Sequence, residues 1–180
     1  VQKKIKMLAE KSEAFAVALA DEFAQILLSP PFIFRDNSEF LCFIEDALGA
    51  KLYSLDTASV RRLLYSSRKE LRDFGARLLT ASHPARYTCV EWTQFADHEF
   101  KRVRDWVKTA YEQNVDEVRA HPHTAIELLQ SRWQDSREFG LKFFMTHFTA
   151  REWTSDVLIR LCESDYDEVQ SLGFELVLDF

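Results

Sequence analysis

A pattern of residues that recurs about every 33 positions constrains the fold of this chain more than any other feature of its sequence. The centre of each copy, here called the anchor, is occupied in turn by Gly75, Val107, Gly140 and Gly173, at intervals of 32, 33 and 33 residues. Mainly apolar residues stand four and one positions before each anchor and three and four positions after it. These offsets lie on one stripe of a helix with 3.6 residues per turn, so a helix with one buried face is predicted around each anchor.

A second, shorter helix is predicted ahead of each anchor helix. Its buried position recurs twelve residues before the anchor, at Leu63, Phe95, Leu128 and Leu161. Pro84 and Pro122 fall between successive units, and Ser67 and Asp165 stand where an N-cap is expected before a second helix. Because Gly costs a helix about 1 kcal/mol relative to Ala, the anchor glycines predict close packing within each pair. Val107, the larger anchor, predicts a looser or rotated pair.

The second helices resemble those of HEAT or HEAT-like repeats. The resemblance is carried by Leu71, Arg72 and Gly75, by Val103, Arg104 and Val107, and by Asp165, Val169, Gln170 and Gly173. Ser136 and Gln170 depart from the Val and Arg that the family prefers. The resemblance covers about residues 55–180 and implies an all-α fold, an α–α superhelix (solenoid) of antiparallel helix pairs.

The phase of the repeat divides the chain into two regions. Residues 51–180 are expected to form four HEAT-like two-helix units, and residues 1–50 to form N-terminal helices that act as a cap or a divergent repeat. In the N-terminal region we predict a helix over about residues 3–28, a break at residues 29–31 and a helix near residues 38–48. Residues 176–180 stay apolar almost without interruption, so we expect the natural protein to continue beyond them.

Composition excludes several classes of protein. The chain is 47% hydrophobic and 29% charged with only four Gly and four Pro, which is typical of a folded helical protein. Its longest uncharged stretch, residues 23–34, is shorter than the roughly 20 apolar residues of a membrane span, and no secretory signal is recognised. Three scattered cysteines, Cys42, Cys89 and Cys162, do not suggest a disulfide framework. We therefore expect a cytoplasmic protein without membrane attachment.

Basic residues at one phase of the repeat have two interpretations. Arg72, Arg104 and Arg137 each stand three positions before an anchor and could form a basic ladder that binds phosphate or an acidic peptide. The family resemblance favours a bracing role instead, in which the equivalent side chain bridges neighbouring units. The position of the guanidinium groups decides between the two.

The resemblance implies that the second helices line the concave face and that their polar positions contact a partner. These positions are Asp73, Arg77, Asp105, Lys108, Thr109, Glu138, Lys142 and Glu175. We select Arg77, Lys108 and Lys142 as the candidate binding residues. The spacing of Asp73 with Arg77 and of Glu138 with Lys142 is also that of ion pairs which support a helix by about 0.2–0.5 kcal/mol.

A nucleic-acid-binding HEAT-like protein, such as a DNA glycosylase, is the alternative function. Residues 60–110 carry 11 Lys and Arg against 6 Asp and Glu, whereas residues 111–180 carry 6 against 14. Trp92, Trp106, Trp133 and Trp153 are candidates for stacking on bases. The net charge of −6 opposes this alternative, because neutralisation of phosphate supplies most of such affinity.

No familiar catalytic or metal-binding motif is found. His121 and His123 flank Pro122 without further ligands at a suitable spacing, so they predict a solvated loop. Neither a phosphate-binding Gly loop nor a nucleophile elbow is present. The sequence therefore favours a non-catalytic protein–protein interaction scaffold without cofactor or metal, whose partner is another protein or a peptide segment.

Overall fold

The computed structural model describes residues 2–29 and 38–179, and every regular element in those ranges is a helix, which confirms the predicted all-α class. Short 3-10 segments cover Gly49–Ser54, Pro84–Arg86 and Ile126–Gln130. The α-helices are α1 (Gln2–Lys11), α2 (Glu13–Leu28), α3 (Ser38–Leu48), α4 (Thr57–Leu64), α5 (Lys69–Ala81), α6 (Cys89–Phe95), α7 (Lys101–Gln113), α8 (Val115–Ala120), α9 (Pro122–Ala125), α10 (Gln134–His147), α11 (Ser155–Cys162) and α12 (Asp167–Asp179). Within the described residues, none of these helices has the length and apolar character needed to cross a bilayer.

The chain forms two compact units, residues 1–83 and residues 84–180. The first contains α1 to α5 and the second contains α6 to α12. The boundary predicted after residue 50 was based on where the repeat begins, whereas these two units are defined by their compactness. The predicted boundary therefore stays a prediction.

The N-terminal region differs from the single long helix predicted for residues 3–28. The helix is interrupted at Ser12, whose extended backbone ends α1 and whose Oγ accepts a hydrogen bond from the Phe15 N–H at 3.2 Å. Ser12 is therefore the N-cap of α2, because its side chain satisfies a backbone donor that the helix itself leaves unpaired. The predicted helix over residues 38–48 is confirmed as α3. Of the predicted break, Ser29 ends α2 and residues 30–31 lie outside the described ranges.

Helices around the anchors pack closely against the helices that precede them. A Cβ built on Gly75 would stand 2.7 Å from the Leu64 amide nitrogen, and one built on Gly173 would stand 2.7 Å from that of Cys162. Each contact joins an anchor to the residue eleven positions earlier. At Gly140 the atom at 2.7 Å is again eleven positions earlier, but it is Cδ2 of the Leu129 side chain. The three glycines thus make contacts in the same register.

The pair formed by α6 and α7 accommodates Val107 at the anchor. Val107 is fully buried, and the residue eleven positions earlier is Ala96, where the other pairs carry a larger side chain. In the register of the glycine contacts, a small residue is therefore expected opposite the larger anchor. The predicted first-helix positions Leu63, Phe95, Leu128 and Leu161 are all buried, but Leu128 lies in the 3-10 segment Ile126–Gln130 and not in an α-helix. One residue of the second-helix stripe, Val177, is instead half exposed.

The turn inside each helix pair is stabilised by a side-chain hydrogen bond from a residue that was not among the predicted N-caps. Ser67 and Asp165 were expected to cap the second helices, but α5 begins at Lys69 and α12 at Asp167, so both residues precede the cap position. The side chain nine positions before each anchor accepts a hydrogen bond from the N–H two residues further on. These bonds run to Ser66 from Arg68, to His98 from Phe100, to Ser131 from Trp133 and to Ser164 from Tyr166, at 3.1–3.3 Å.

Candidate functional site

The recurring arginines close the turn of their own helix pair. Arg104 Nη1 donates to the backbone carbonyls of His98 and Glu99 at 2.9 and 3.0 Å, and Arg137 Nη1 donates to that of Ser131 at 2.8 Å. In the first unit, Arg72 Nη1 donates in the same way to two turn carbonyls at 2.9 Å. Each guanidinium therefore satisfies carbonyl groups five or six residues earlier in the chain, where one helix ends and the next has not begun.

Arg104 and Arg137 also reach the next helix pair. Arg104 Nε donates to Asp135 Oδ1 at 3.0 Å, and its guanidinium carbon lies 4.1 Å from the centre of the Trp133 ring. Arg137 makes the same kinds of contact, with a carboxylate and an aromatic ring, to the helix pair that follows its own. Arg137 Nε donates to Glu168 Oε1 at 2.8 Å, and its guanidinium lies 3.7 Å from the centre of the Tyr166 ring. We call each set an arginine clamp.

The clamps affect the ionisation of their carboxylates. Burial by itself would raise the pKa of Asp135, but hydrogen bonds and charge from Lys108 and Arg104 outweigh it and leave the pKa below its usual value. At Glu168 the hydrogen bond from Arg137 is the main cause of a lowered pKa. Arg104 and Arg137 are themselves buried. The geometry thus assigns these two side chains to bracing, not to a basic ladder at the surface.

Arg77, the first predicted binding residue, is held inside the first unit. Its Nε and Nη2 donate to the two carboxylate oxygens of Glu45 at 2.7 and 3.1 Å, and its Nη1 contacts Asp73. The Glu45 contact joins α3 to α5, and the Asp73 contact is the predicted pair four residues apart on α5. Substitution of Arg77 would therefore disturb packing as well as any partner contact.

The other two candidates differ from each other. Lys108 Nζ donates to Asp135 at 2.7 Å and to Asp105 at 3.2 Å, and its side chain is only 20% exposed. Lys142 is exposed, and its side chain makes no ion pair with any residue that the structure describes. The predicted pair of Glu138 with Lys142 is absent from the described contacts, and Glu138 Oε1 accepts a hydrogen bond from Gln134 Nε2 at 2.7 Å.

Exposed polar side chains remain on α7 and α10 after these ion pairs are formed. Thr109 and Lys142 each stand two positions after an anchor, and Glu138 stands two positions before one. All three are exposed. We call this set the α7–α10 polar face; it carries one free cation and one carboxylate. Arg77 belongs to the other compact unit.

Tryptophans predicted as stacking candidates are used within the fold. Trp92, Trp106 and Trp153 are buried, and Trp92 Nε1 donates to the Pro84 carbonyl at 3.1 Å. Trp133 is partly exposed, but one face of its ring is covered by the Arg104 guanidinium. These rings stabilise helix packing, and none of them has both ring faces exposed for stacking on a base.

A polar cleft of about 470 Å³ lies beside α8 and α9. It is lined by Asp116, Arg119, Ala120, Pro122, Arg151 and Glu152. Burial would raise the pKa of Glu152, but hydrogen bonds from Thr149 and from Arg119 lower it to about 2. Arg119 Nη2 lies 2.9 Å from Glu152 Oε1, so the principal charges of the cleft neutralise each other.

His121 and His123 are exposed, but His123 lies in α9 and not in the predicted loop. Cys42 and Cys162 were expected to be buried, whereas Cys42 is exposed and Cys162 is partly exposed. The backbone carbonyl of Glu117 lies 3.0 Å from His121 Nδ1. Cys89 is buried, and burial raises the pKa of its thiol to about 11. Over the described ranges, no three His, Cys, Asp or Glu side chains come together in a way that would hold a metal ion.

Sequence reasoning missed the residues that complete the clamps. The clamp rings Trp133 and Tyr166 each stand seven positions before an anchor, and Phe100 occupies the same phase 33 residues before Trp133, so an aromatic residue at this phase was a detectable signal. Asp135 and Glu168 likewise stand five positions before consecutive anchors. The clamp can therefore be written as a motif of this chain. Comparison with family models, with curated proteins and with solved structures gave no match from which a family could be assigned.

Proposed function

We propose that this chain is a non-catalytic binding module, a HEAT-like α-solenoid segment that holds a segment of another protein on the polar side of its second helices. The observation that carries the proposal is the arginine clamp. Arg104 and Arg137 each bond the turn of their own pair and contact both an aromatic ring and a carboxylate of the next pair. Each clamp thereby fixes one helix pair relative to the next.

Rigid coupling between neighbouring pairs supports a binding role. In repeat proteins each unit contacts only its neighbours, so the pair-to-pair contacts determine how the exposed side chains are spaced. A surface whose spacing is fixed before binding loses less conformational entropy when a partner is bound. The buried aromatic and charged groups in the clamps serve this spacing and require no chemistry of their own.

Lys142 is the residue through which we expect the partner to be contacted. Lys108 and Arg77 are occupied by intramolecular carboxylates, whereas Lys142 and the neighbouring exposed Glu138 on α10 are available to a ligand. A rim charge of this kind affects the association rate and its dependence on salt more than the dissociation rate. The α7–α10 polar face is thus proposed to bind a peptide segment of mixed charge.

Site-specific photocross-linking tests this proposal. p-Benzoylphenylalanine is placed at the exposed position 109 on α7, which keeps Lys142 intact, or at the exposed Val90 of α6 as the matched control, in cells of the organism that makes the protein. We expect a discrete cross-linked product from position 109, reduced by Lys142→Glu and absent from position 90. Equal products from both positions, or none from either, would contradict binding at the α7–α10 polar face.

Fluorescence polarisation with labelled duplex and single-stranded DNA separates this proposal from a nucleic-acid function. The proposal expects no binding at low salt, because the cations of Arg104, Arg137 and Lys108 are already neutralised within the fold. Binding that weakens steeply as salt is raised would favour the nucleic-acid alternative.

A further inference from the structure

The polar cleft beside α8 and α9 contains one arginine that is held along a single edge by a carboxylate. Both Nε and Nη2 of Arg119 donate to Oε1 of Glu152, at 3.2 and 2.9 Å. Oε2 of Glu152 accepts from the Thr149 N–H and from the Thr149 hydroxyl, each at 2.7 Å. A carboxylate has about four lone-pair sites, so Glu152 is fully occupied and cannot bind a further donor.

The remaining edge of the Arg119 guanidinium is available to a ligand. Glu152 is only 5% exposed, and its pKa of about 2 keeps it ionised at neutral pH, so it fixes the direction of the guanidinium. Nη1 of Arg119 donates to no group of the described chain, although the side chain lines the cleft and is 34% exposed. A guanidinium edge held in this way is suited to an oxyanion such as a carboxylate.

Two further charged side chains line the same cleft. Arg151 is exposed in the turn between α10 and α11, and Asp116 is exposed on α8, one turn before Arg119. Neither side chain forms an ion pair or a hydrogen bond with any part of the protein that the structure describes, and they do not pair with each other. The cleft lies wholly within the second compact unit.

Charge in the cleft is therefore balanced but separated. Arg119 and Glu152 neutralise each other, whereas Arg151 and Asp116 leave one positive and one negative site. A simple anion would be attracted by Arg151 and repelled by Asp116, and a simple cation would meet the reverse. A ligand that carries both signs of charge would gain from both side chains.

The size and lining of the cleft favour a small ligand over a peptide segment. Its volume of about 470 Å³ is in the range of clefts that hold small molecules. Its walls are formed mainly by charged side chains, with Ala120 and Pro122 as the apolar members. A peptide segment is normally anchored by large apolar side chains in apolar pockets, which this lining does not provide.

We propose that this cleft binds a small amino carboxylate in its zwitterionic form, with the carboxylate at Arg119 Nη1 and Arg151 and the ammonium group at Asp116. The ligand thereby completes the hydrogen bonding of the cleft on both sides. The inference requires no partner protein and uses no residue of the α7–α10 polar face, so it goes beyond the proposed function and does not depend on it.

Isothermal titration calorimetry with linear amino carboxylates tests the proposal. The probes are glycine, β-alanine, γ-aminobutyrate and ε-aminocaproate, which differ in the distance between the ammonium and carboxylate groups. Butyrate and butylamine are the matched ligands with a single charge. We expect the best amino carboxylate to bind at least about tenfold more tightly than either single-charge ligand, because each of those meets an unfavourable charge in the cleft.

Two variants distinguish the roles of the charged side chains. Arg151→Ala should weaken the best amino carboxylate about tenfold or more, by removing a charge-assisted contact to its carboxylate. Asp116→Asn should also weaken this ligand, but it should strengthen the binding of butyrate because the repulsion is removed. A general effect on folding would not move the two ligands in opposite directions.

Arg61→Ala on α4 and Glu112→Gln on α7 are the matched controls. Both residues are exposed and outside the cleft, and neither forms an ion pair within the described ranges. Each substitution should leave the affinity within about twofold. Circular dichroism verifies that every variant is folded.

Three outcomes would overturn the inference: no binding by any member of the series, binding of butyrate as tight as that of the best amino carboxylate, or no effect of Arg151→Ala and Asp116→Asn. The second outcome would identify a site for anions only. None of these measurements bears on cross-linking at position 109, so failure of this inference can be distinguished from failure of the proposed function.

Discussion

The guanidinium of Arg137 lies over the ring of Tyr166, with 3.7 Å between the guanidinium carbon and the ring centre. The same side chain donates to the Ser131 carbonyl behind it and to the Glu168 carboxylate ahead of it, each at 2.8 Å. One arginine thus connects a turn, an aromatic ring and the first turn of α12. Its removal should affect stability more than the removal of any exposed arginine.

Arg137→Ala is expected to lower the free energy of unfolding by about 2–4 kcal/mol. The substitution leaves a buried turn carbonyl without its charged donor and removes the cation from the Tyr166 ring. Arg137→Lys keeps the charge but not the planar, multidentate geometry, so we expect it to recover only part of the loss. Urea unfolding followed by circular dichroism measures both variants.

Arg151→Ala provides the control for this series, because Arg151 is exposed and makes no ion pair with a described residue. It should change the free energy of unfolding by no more than about 0.5 kcal/mol. If the variants at Arg137 and Arg151 were equally stable, the clamp would not be a stabilising contact.

Replacement of Gly173 by Ala should destabilise the protein by about 1–3 kcal/mol. The added methyl group would stand 2.7 Å from the Cys162 amide nitrogen and 2.9 Å from the Leu161 carbonyl carbon, and backbone atoms cannot move aside without separating the two helices. Thermal unfolding at fixed protein concentration gives the comparison.

Gly140→Ala is the matched control at the same phase of the repeat. Its nearest clash is with the end of the Leu129 side chain, which can change rotamer, and Ala gains about 1 kcal/mol of helix propensity over Gly. We expect its stability to stay within about 1 kcal/mol of the wild type. Equal losses at Gly140 and Gly173 would contradict the distinction between backbone and side-chain contacts.

The helix pairs could be predicted from the sequence because their signal is local and periodic. Leu63, Leu128 and Leu161 recur at one distance from the anchors, and their burial depends on the pattern of their own pair. The break at Ser12 could not be found in the same way. The apolar and helix-favouring residues continue through it, and a Ser is acceptable both at an N-cap and on an exposed helix surface.

The sequence could not predict which charged side chains form ion pairs within the fold. Lys108 and Lys142 lie on the same predicted helix surface, but only Lys108 meets a carboxylate, Asp135, contributed by another helix pair. That contact spans 27 residues and depends on how closely the pairs pack. The recurrence of Arg104 and Arg137 was visible, whereas their partners lay among many acidic residues of the C-terminal half and became distinct only in three dimensions.

Acid should destabilise the wild type more than a Glu152→Gln variant. The folded state holds the pKa of Glu152 at about 2, below its ordinary value of 4.5, through Thr149 and Arg119. A lowered pKa contributes stability that is complete above pH 4.5 and is lost as the pH falls toward 2. We expect the difference in unfolding free energy between wild type and variant to shrink over this interval. Urea titrations at several pH values measure it.

When the unfolding free energy of the variant is subtracted from that of the wild type, the contributions of the carboxylates that both proteins share cancel. These include Asp56, whose pKa is also lowered. A difference that stayed constant from pH 6 to pH 2 would show that Glu152 titrates normally in the folded state. When both proteins also carry Arg119→Gln, the difference in unfolding free energy between them should be smaller, since the Arg119 cation is one cause of the lowered Glu152 pKa.

Tyr111→Phe is expected to destabilise the protein by about 1–2 kcal/mol, although it removes a single oxygen atom. The Tyr111 and Thr93 hydroxyls share a hydrogen bond at 2.7 Å, and the Tyr111 hydroxyl donates to the Ala125 carbonyl at 3.2 Å, all in surroundings where Tyr111 is fully buried. Burial also raises the pKa of the phenol, so the group stays a protonated donor at neutral pH.

A double-mutant cycle with Thr93→Val identifies the shared bond. If the hydroxyls stabilise each other, the two substitutions together should cost about 1 kcal/mol less than the sum of the single changes. Strict additivity would show that the hydroxyls act independently. Because Tyr111 lies on α7 and Ala125 on α9, a loss confined to Tyr111→Phe would then assign the stabilisation to the contact between successive helix pairs.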